Sequence, residues 1–169
     1  MTVVQSLRVT ATMLVLAGIL LIFAVWGWHA ATAPWPAKVD SPPCVDRTVQ
    51  AGTRLSAVDV TVSVLNASDR EGLARLTLDA LGKHNFATAS QGNAPKGTNV
   101  SNAEIWTDDT KNAAAQLVHS WIPGSQIVQH RSPSPGVTVV VGQQFKHVGG
   151  GVRSVKVTSD STVCSPVVD

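Results

Sequence analysis

Two cysteines, five histidines and eleven carboxylates are the side chains of this 169-residue chain best equipped for chemistry. Cys44 and Cys164 are flanked by no C-x-x-C and no Cys/His grouping, which sets aside a zinc or thiol-redox motif. An even pair reads best as a disulfide, a bond that persists only in an oxidising compartment. Two unrelated buried thiols are the alternative. His29, His84, His119, His130 and His147 fall in no H-x-x-x-H or H-E-x-x-H pattern, so no metal site is expected. Glycoside hydrolysis would need two carboxylates facing one cleft about 5 to 9 Å apart. Asp69, Glu71, Asp108 and Asp109 instead stand where they would complement helix N-termini. No G-x-S-x-G elbow is present. Gly149-Gly150-Gly151 lacks the Lys-Ser or Lys-Thr pair of a phosphate loop and reads as a flexible hinge. No catalytic set and no cofactor are expected.

Binding is the chemistry that remains. Asn66, Ser68 and Arg70 sit where a strand runs into a helix, and free N–H groups there could receive an acidic sugar or a peptide carboxylate. The competing reading is that the three residues merely build the turn. Asn66-Ala67-Ser68 also fits a glycosylation sequon, although its turn role already accounts for it. Trp106 and Trp121 could stack on sugars, but both fall at positions that core packing explains.

The elements that would position these residues can be read from periodicity. Residues 58–64, VDVTVSV, alternate apolar and polar as a half-buried strand does. Ser68 with Glu71 forms the pattern of a capping box, and Leu73, Leu76, Ala80 and Leu81 line one face of the helix that follows, with Gly82 at its end. Strands are expected at 86–90 and 100–106, with a Gly/Asn/Pro loop between them. Thr107-Asp108-Asp109 then opens a second helix through Ala113, Ala114, Leu117, Val118 and Trp121, stopped by Pro123-Gly124. Strands at 127–130 and 137–141 complete the pattern, and 152–158 could add an edge strand. The expected fold is α+β: a two-layer sandwich of ferredoxin-like type, β-α-β-β-α-β with an extra C-terminal strand, its sheet mainly antiparallel.

Composition divides the chain in two. Hydrophobic residues make up 44% and charged ones 14%, and the excess is concentrated before position 29. Residues 9–28, VTATMLVLAGILLIFAVWGW, carry no charge, and as a helix they would cover roughly 30 Å, the thickness of a bilayer core. Ala31-Thr32-Ala33 resembles a signal cleavage site, but the apolar run is longer than a signal core and Pro34 would follow the scissile bond. Trp26, Trp28 and Trp35 gather at the far end as an interfacial belt. The expected organisation is a cytoplasmic N-terminus (1–8), a transmembrane helix (9–28), a Pro-rich extracytoplasmic spacer (29–57), an α+β domain (58–148), and a Gly hinge and tail (149–169) tied back by the disulfide. The formal net charge is only +2, with Lys and Arg scattered singly, which excludes binding to nucleic acid through neutralised phosphates. Neither a basic stripe nor an acid cluster is visible along the sequence.

The stretch from position 60 to about 145 resembles the C-terminal domain family of the LytR/CpsA/Psr proteins. The resemblance is carried by the strand running into Asn66-Ala67-Ser68, by the helix start Gly72-Leu73-Ala74, by Asn85-Phe86 in place of the usual Gly-Phe, and by Val-Thr-Val-Val-Val followed by Gln144-Phe145 in place of Asp-Phe. One anchor, a short spacer, this domain alone and a flanking cysteine pair is similar to a single-span actinobacterial envelope-integrity group. The resemblance implies support of the cell envelope rather than catalysis. Its implied partners are a wall polymer (peptidoglycan or attached glycan) or envelope proteins, with the membrane reached through the N-terminal helix. Full-length LytR/CpsA/Psr proteins also carry a larger phosphotransferase domain, for which this chain has no room, so ligase activity is not expected. A glycan-acting hydrolase or transferase, or a scaffold subunit for such a ligase, are the alternatives.

Overall fold

The computed structural model describes residues 2–32 and 43–167, with side chains described for 13–28 and 43–167. Two compact units result, 1–39 and 40–169. The first is one helix, α1 (Thr2–Thr32), whose described large apolar side chains are exposed. Among the described residues no helix is long and apolar enough to cross a membrane. The side chains described there, 13–28, span fewer positions than the about 20 a crossing needs, and the helix backbone runs on at both ends. Residues 33–42 of the expected spacer, Trp35 among them, lie outside the described residues.

The second unit begins earlier than the sequence suggests. β1 (Val45–Val49), β2 (Arg54–Ser56) and a 3-10 turn (Ala57–Asp59) belong to it rather than to a spacer. There follow β3 (Thr61–Asn66), α2 (Leu73–Lys83), β4 (Ala87–Asn93), β5 (Ala103–Thr107), α3 (Ala113–Trp121), β6 (Ser125–Gln129), β7 (Val137–Val141), β8 (Ser154–Lys156) and β9 (Ser161–Ser165). Strands β4-β3-β7-β5-β6 form one sheet, while β1/β9 and β2/β8 are separate antiparallel ribbons.

The α+β two-layer expectation holds, but the ferredoxin-like, mainly antiparallel sheet does not. β3 pairs in parallel with β4 and with β7, β5 pairs in parallel with β6, and β5/β7 is the sheet's antiparallel pair. The physical reason lies in the connections. Each helix carries the chain from one strand to its immediate neighbour, so neither β-α-β unit is split by an intervening strand.

Both helices cover the same face. Leu73, Leu78 and Leu81 of α2 and Ala114, Leu117 and Val118 of α3 join Val62, Val64, Ile105, Val139 and Val141 in one core. The other face carries Thr61, Ser63, Leu65, Thr138, Val140 and Trp106, and it is buried too. The segment 131–136 helps cover it: Ser63 Oγ donates to the Pro135 carbonyl at 2.7 Å, and Ser132 Oγ bonds Thr138 Oγ1. Every residue of β3 is therefore buried, where alternation alone suggested a strand with one wet face.

The start of α3 also differs from expectation. α3 is capped by Asn112, whose side chain accepts from Ala114 N and Ala115 N, whereas Asp109 Oδ1 accepts from Lys111 N in the preceding turn. Gly149 and Gly151 pack closely rather than standing in a free hinge. A Cβ on Gly149 would lie 2.6 Å from the Pro123 ring, and one on Gly151 would lie 2.6 Å from Trp121. Cys44 and Cys164 are bonded, with Cα atoms 5.4 Å apart, beside the β1/β9 pairing of Asp46 with Cys164.

Candidate functional site

The strand ends converge on one polar groove. β4, β3 and β7 run one way and β5 and β6 the other, so the C-terminal ends of β3 and β7 meet the N-terminal ends of β5 and β6. Asn66 closes β3. Its Nδ2 donates to the Arg70 carbonyl at 2.7 Å, and its Oδ1 accepts from Ser68 N at 2.9 Å and from Ser68 Oγ at 2.7 Å. Ser68 Oγ in turn accepts from Arg70 N at 3.2 Å. These bonds make an Asx-type turn. Because the Ser68 hydroxyl is committed to it, the capping box with Glu71 does not form. The chain instead enters α2 through Gly72, at φ 74°.

Arg70 then reaches across to the segment after β7. Its Nη1 donates to the Phe145 carbonyl at 2.5 Å, and Asp69 N donates to Gln143 Oε1 at 3.3 Å. From the other side, Asn102 Nδ2 donates to the carbonyls of Pro123 and Gly124 at 3.0 and 2.9 Å. Between these braces lies an open groove of about 890 Å³, lined by Arg70, Asn102, Gln143, Gln144, Lys146 and His147, with Pro123 and Phe145. Cations and amides dominate its lining, and no carboxylate lines it. Such a surface can hydrogen-bond hydroxyls and attract anions.

Of the three residues singled out by sequence, Arg70 lines this groove, while Asn66 and Ser68 stand behind it and hold the turn. The amides and cations of 143–147 and Asn102 escaped sequence reasoning. A polar run directly after the Val-rich strand was the available signal. The tryptophans are packing residues. Trp106 is buried, donates to Glu104 Oε2 at 2.9 Å and stacks on His130 at 3.9 Å; Trp121 donates to the Val152 carbonyl and lies 4.3 Å from the His84 ring.

A second groove, of about 600 Å³, has the opposite character. Asp46, Asp108, Asp109 and Asp160 line it, and no Lys, Arg or His does. All four carboxylates are exposed. The fold thus collects an acid cluster that the sequence disperses. Among the described residues no group of three or more His, Cys, Asp and Glu is placed to hold a metal ion. His119 Nδ1 lies 2.8 Å from Ser125 Oγ, but that hydroxyl is buried and donates to the Ile122 carbonyl at 2.8 Å. It is therefore not presented as a nucleophile.

A helix-backed mixed sheet, clasped by a disulfide and bearing an amide- and cation-lined groove, defines an α+β domain. The chain belongs to the family described as LytR cell envelope-related transcriptional attenuator, through its LytR C-terminal domain, which matches residues 59–145, just over half of the chain. Among solved structures it is similar to the soluble domain of a conserved hypothetical secreted protein from Mycobacterium marinum. The likeness has 24% identity and a TM-score of 0.49, covering 60% of this chain and 68% of that one. No curated protein matches the chain.

Proposed function

We propose that this is a membrane-anchored, non-enzymatic protein of the cell envelope, whose extracytoplasmic domain supports envelope integrity by binding a wall polymer or envelope proteins. Family membership is the observation that carries the envelope reading. The groove at the sheet end supplies the recognition surface, with Arg70 at its rim and Asn66 and Ser68 setting its shape. The uncharged run 9–28, helical throughout, supports the anchor, and the Cys44–Cys164 bond supports an oxidising compartment for the domain.

A non-catalytic role is favoured by the acidic groove's exposure. A general acid in glycan cleavage needs a desolvated carboxyl, and Asp46, Asp108, Asp109 and Asp160 are all open to solvent. The test is co-sedimentation of the detergent-solubilised full chain with insoluble wall, beside the double variant Lys146→Glu/His147→Glu. Retention by the wild type and loss in the variant support polymer binding. Equal sedimentation of both, or none above a denatured control, excludes the polymer and leaves protein partners. Alkaline extraction of membranes tests the anchor, since a peripheral protein would be released.

A further inference from the structure

A third groove, of about 490 Å³, is also cationic. Lys83, His84 and Arg153 line it with Asn85, Trp121 and Val58, and no carboxylate does. It and the groove of Arg70 and Lys146 both border the C-terminal end of α3. Trp121 lines one and Pro123 the other, so their margins come within about 7 Å along the backbone. The chain 143–153 runs from one to the other and is pinned against that turn. Gly149 N donates to the Trp121 carbonyl at 2.8 Å, Val152 N to Ser120 Oγ at 3.2 Å, and Trp121 Nε1 to the Val152 carbonyl at 2.9 Å.

Among the described residues Lys83, Lys146 and Arg153 have no carboxylate partner; the ion pair there is Arg75–Asp79. Val58 and Val152, 56% and 50% exposed, offer apolar surface beside the third groove. The carboxylates Asp46, Asp108, Asp109 and Asp160 are gathered around a different groove. Two grooves are thus lined by cations without carboxylates and one by carboxylates without cations, in a chain of net charge +2.

We propose that the two cationic grooves form one continuous track for an extended anionic polysaccharide, a linear chain carrying a carboxylate or phosphodiester on each repeat. This rests on the polymer-binding reading above and adds the ligand's charge, its length and a second contact region. Lys146 and His147 hold one stretch of the polymer, Lys83 and Arg153 the next, and the exposed valines lie under its sugar rings. Two linked contacts raise affinity for a long chain far more than for a short one. The acidic groove repels the same polymer from the alternative surface.

The test uses the detergent-solubilised full chain and titrates short and long oligogalacturonates, a long neutral galactan and anionic phospholipid vesicles. The variants are Lys83→Glu/Arg153→Glu and Lys146→Glu/His147→Glu, four exposed positions where folding is checked by circular dichroism. Expected are binding of the long oligomer with falling affinity at higher salt, no binding of the galactan, and a loss of tenfold or more in either variant. The Lys83/Arg153 variant should leave the weaker binding of the short oligomer to the Arg70–Lys146 groove within about twofold. Loss in the Lys146/His147 variant alone would overturn the two-groove track while leaving the polymer reading intact. Unchanged binding in both variants, or binding to vesicles and to no oligomer, would overturn both.

Discussion

Replacing both cysteines, Cys44→Ala with Cys164→Ala, removes a bond that closes a loop with a sequence separation of 120. In the folded protein the ends are also held by β1/β9, whose register pairs Val45 with Ser165 through Val49 with Ser161. The native state therefore changes little when the bond is lost. The unfolded chain gains the freedom to open the whole loop, which the loop-entropy relation values at about 5 kcal/mol. Against a typical domain stability of about 5 to 15 kcal/mol, that is a third or more of the total. Hydrogen exchange of the central β3 and β7 amides in the detergent-solubilised full chain is the suitable assay, because buried amides there exchange only through global opening. In that regime about 5 kcal/mol accelerates exchange by between three and four powers of ten. The β1 amides, on an exposed two-stranded ribbon, are expected to exchange through local opening and so should accelerate less. An acceleration below tenfold in β3 and β7 would refute the reasoning: it would mean that the reduced, unfolded chain keeps its ends together without the bond.

Other perturbations test the fold's close contacts. A Cβ on Gly142 would stand 1.8 Å from the Val100 carbonyl oxygen and 2.6 Å from that of Ser101, so Gly142→Ala must push apart the strand ends that frame the groove. A loss of about 3 kcal/mol or more in thermal or denaturant unfolding is expected, and a neutral result would place the two loops elsewhere. Asn112→Ala removes the acceptor for Ala114 N and Ala115 N and the donor to the Thr162 carbonyl, and should cost about 1 to 2 kcal/mol, with faster exchange at the start of α3. Leu81→Ala, at a fully buried position of α2, should cost about 2 to 5 kcal/mol by the same measurements. Asn66→Ala leaves the Arg70 carbonyl without its side-chain donor and frees Ser68. It should cost about 1 to 3 kcal/mol and weaken wall retention together with the Lys146/His147 variant, because the turn that aims Arg70 is lost.

What the sequence revealed and what it hid separate along the range of the interactions. Both helices were legible because their apolar spacing and stop signals are local, but the stripe of α2 was partly misplaced. Leu73 and Leu81 are buried as expected, whereas Leu76 is 67% exposed and Leu78 packs into the core instead; Leu117, Val118 and Trp121 of α3 are all buried. The strands of the five-stranded sheet were legible for the same reason, yet their edges were not, and β1, β2 and β9, whose partners lie about 100 residues or more away, were missed altogether. β4 extends to Asn93 because Gln91, Gly92 and Asn93 pair with Val64, Leu65 and Asn66 beyond a register shift, a partner no local pattern names. Strand order is less local still. Parallel pairing of β3 with β7 joins segments separated by both helices, and nothing in the alternation of either strand distinguishes it from an antiparallel neighbour.

Charge followed the same rule, and there the consequence is functional. Asp46 and Asp160 come from opposite ends of the domain and Asp108 and Asp109 from its middle, and they share a groove because the β1/β9 ribbon brings the chain ends beside the turn that precedes α3. Lys83 and Arg153 likewise line one groove because close packing of Gly149 and Gly151 lets 149–153 lie against Trp121. A near-zero sum of charges therefore says nothing about the field at any one surface. The fold thus gives a nearly neutral domain grooves lined by one sign of charge. If the proposed two-groove track holds, Gly151→Ala, whose Cβ would meet Trp121, should displace Arg153 from the groove it shares with Lys83 and weaken binding of a long oligogalacturonate without touching a charged residue. Affinity unchanged in that variant, with 149–153 visibly displaced, would show that the two cations act independently.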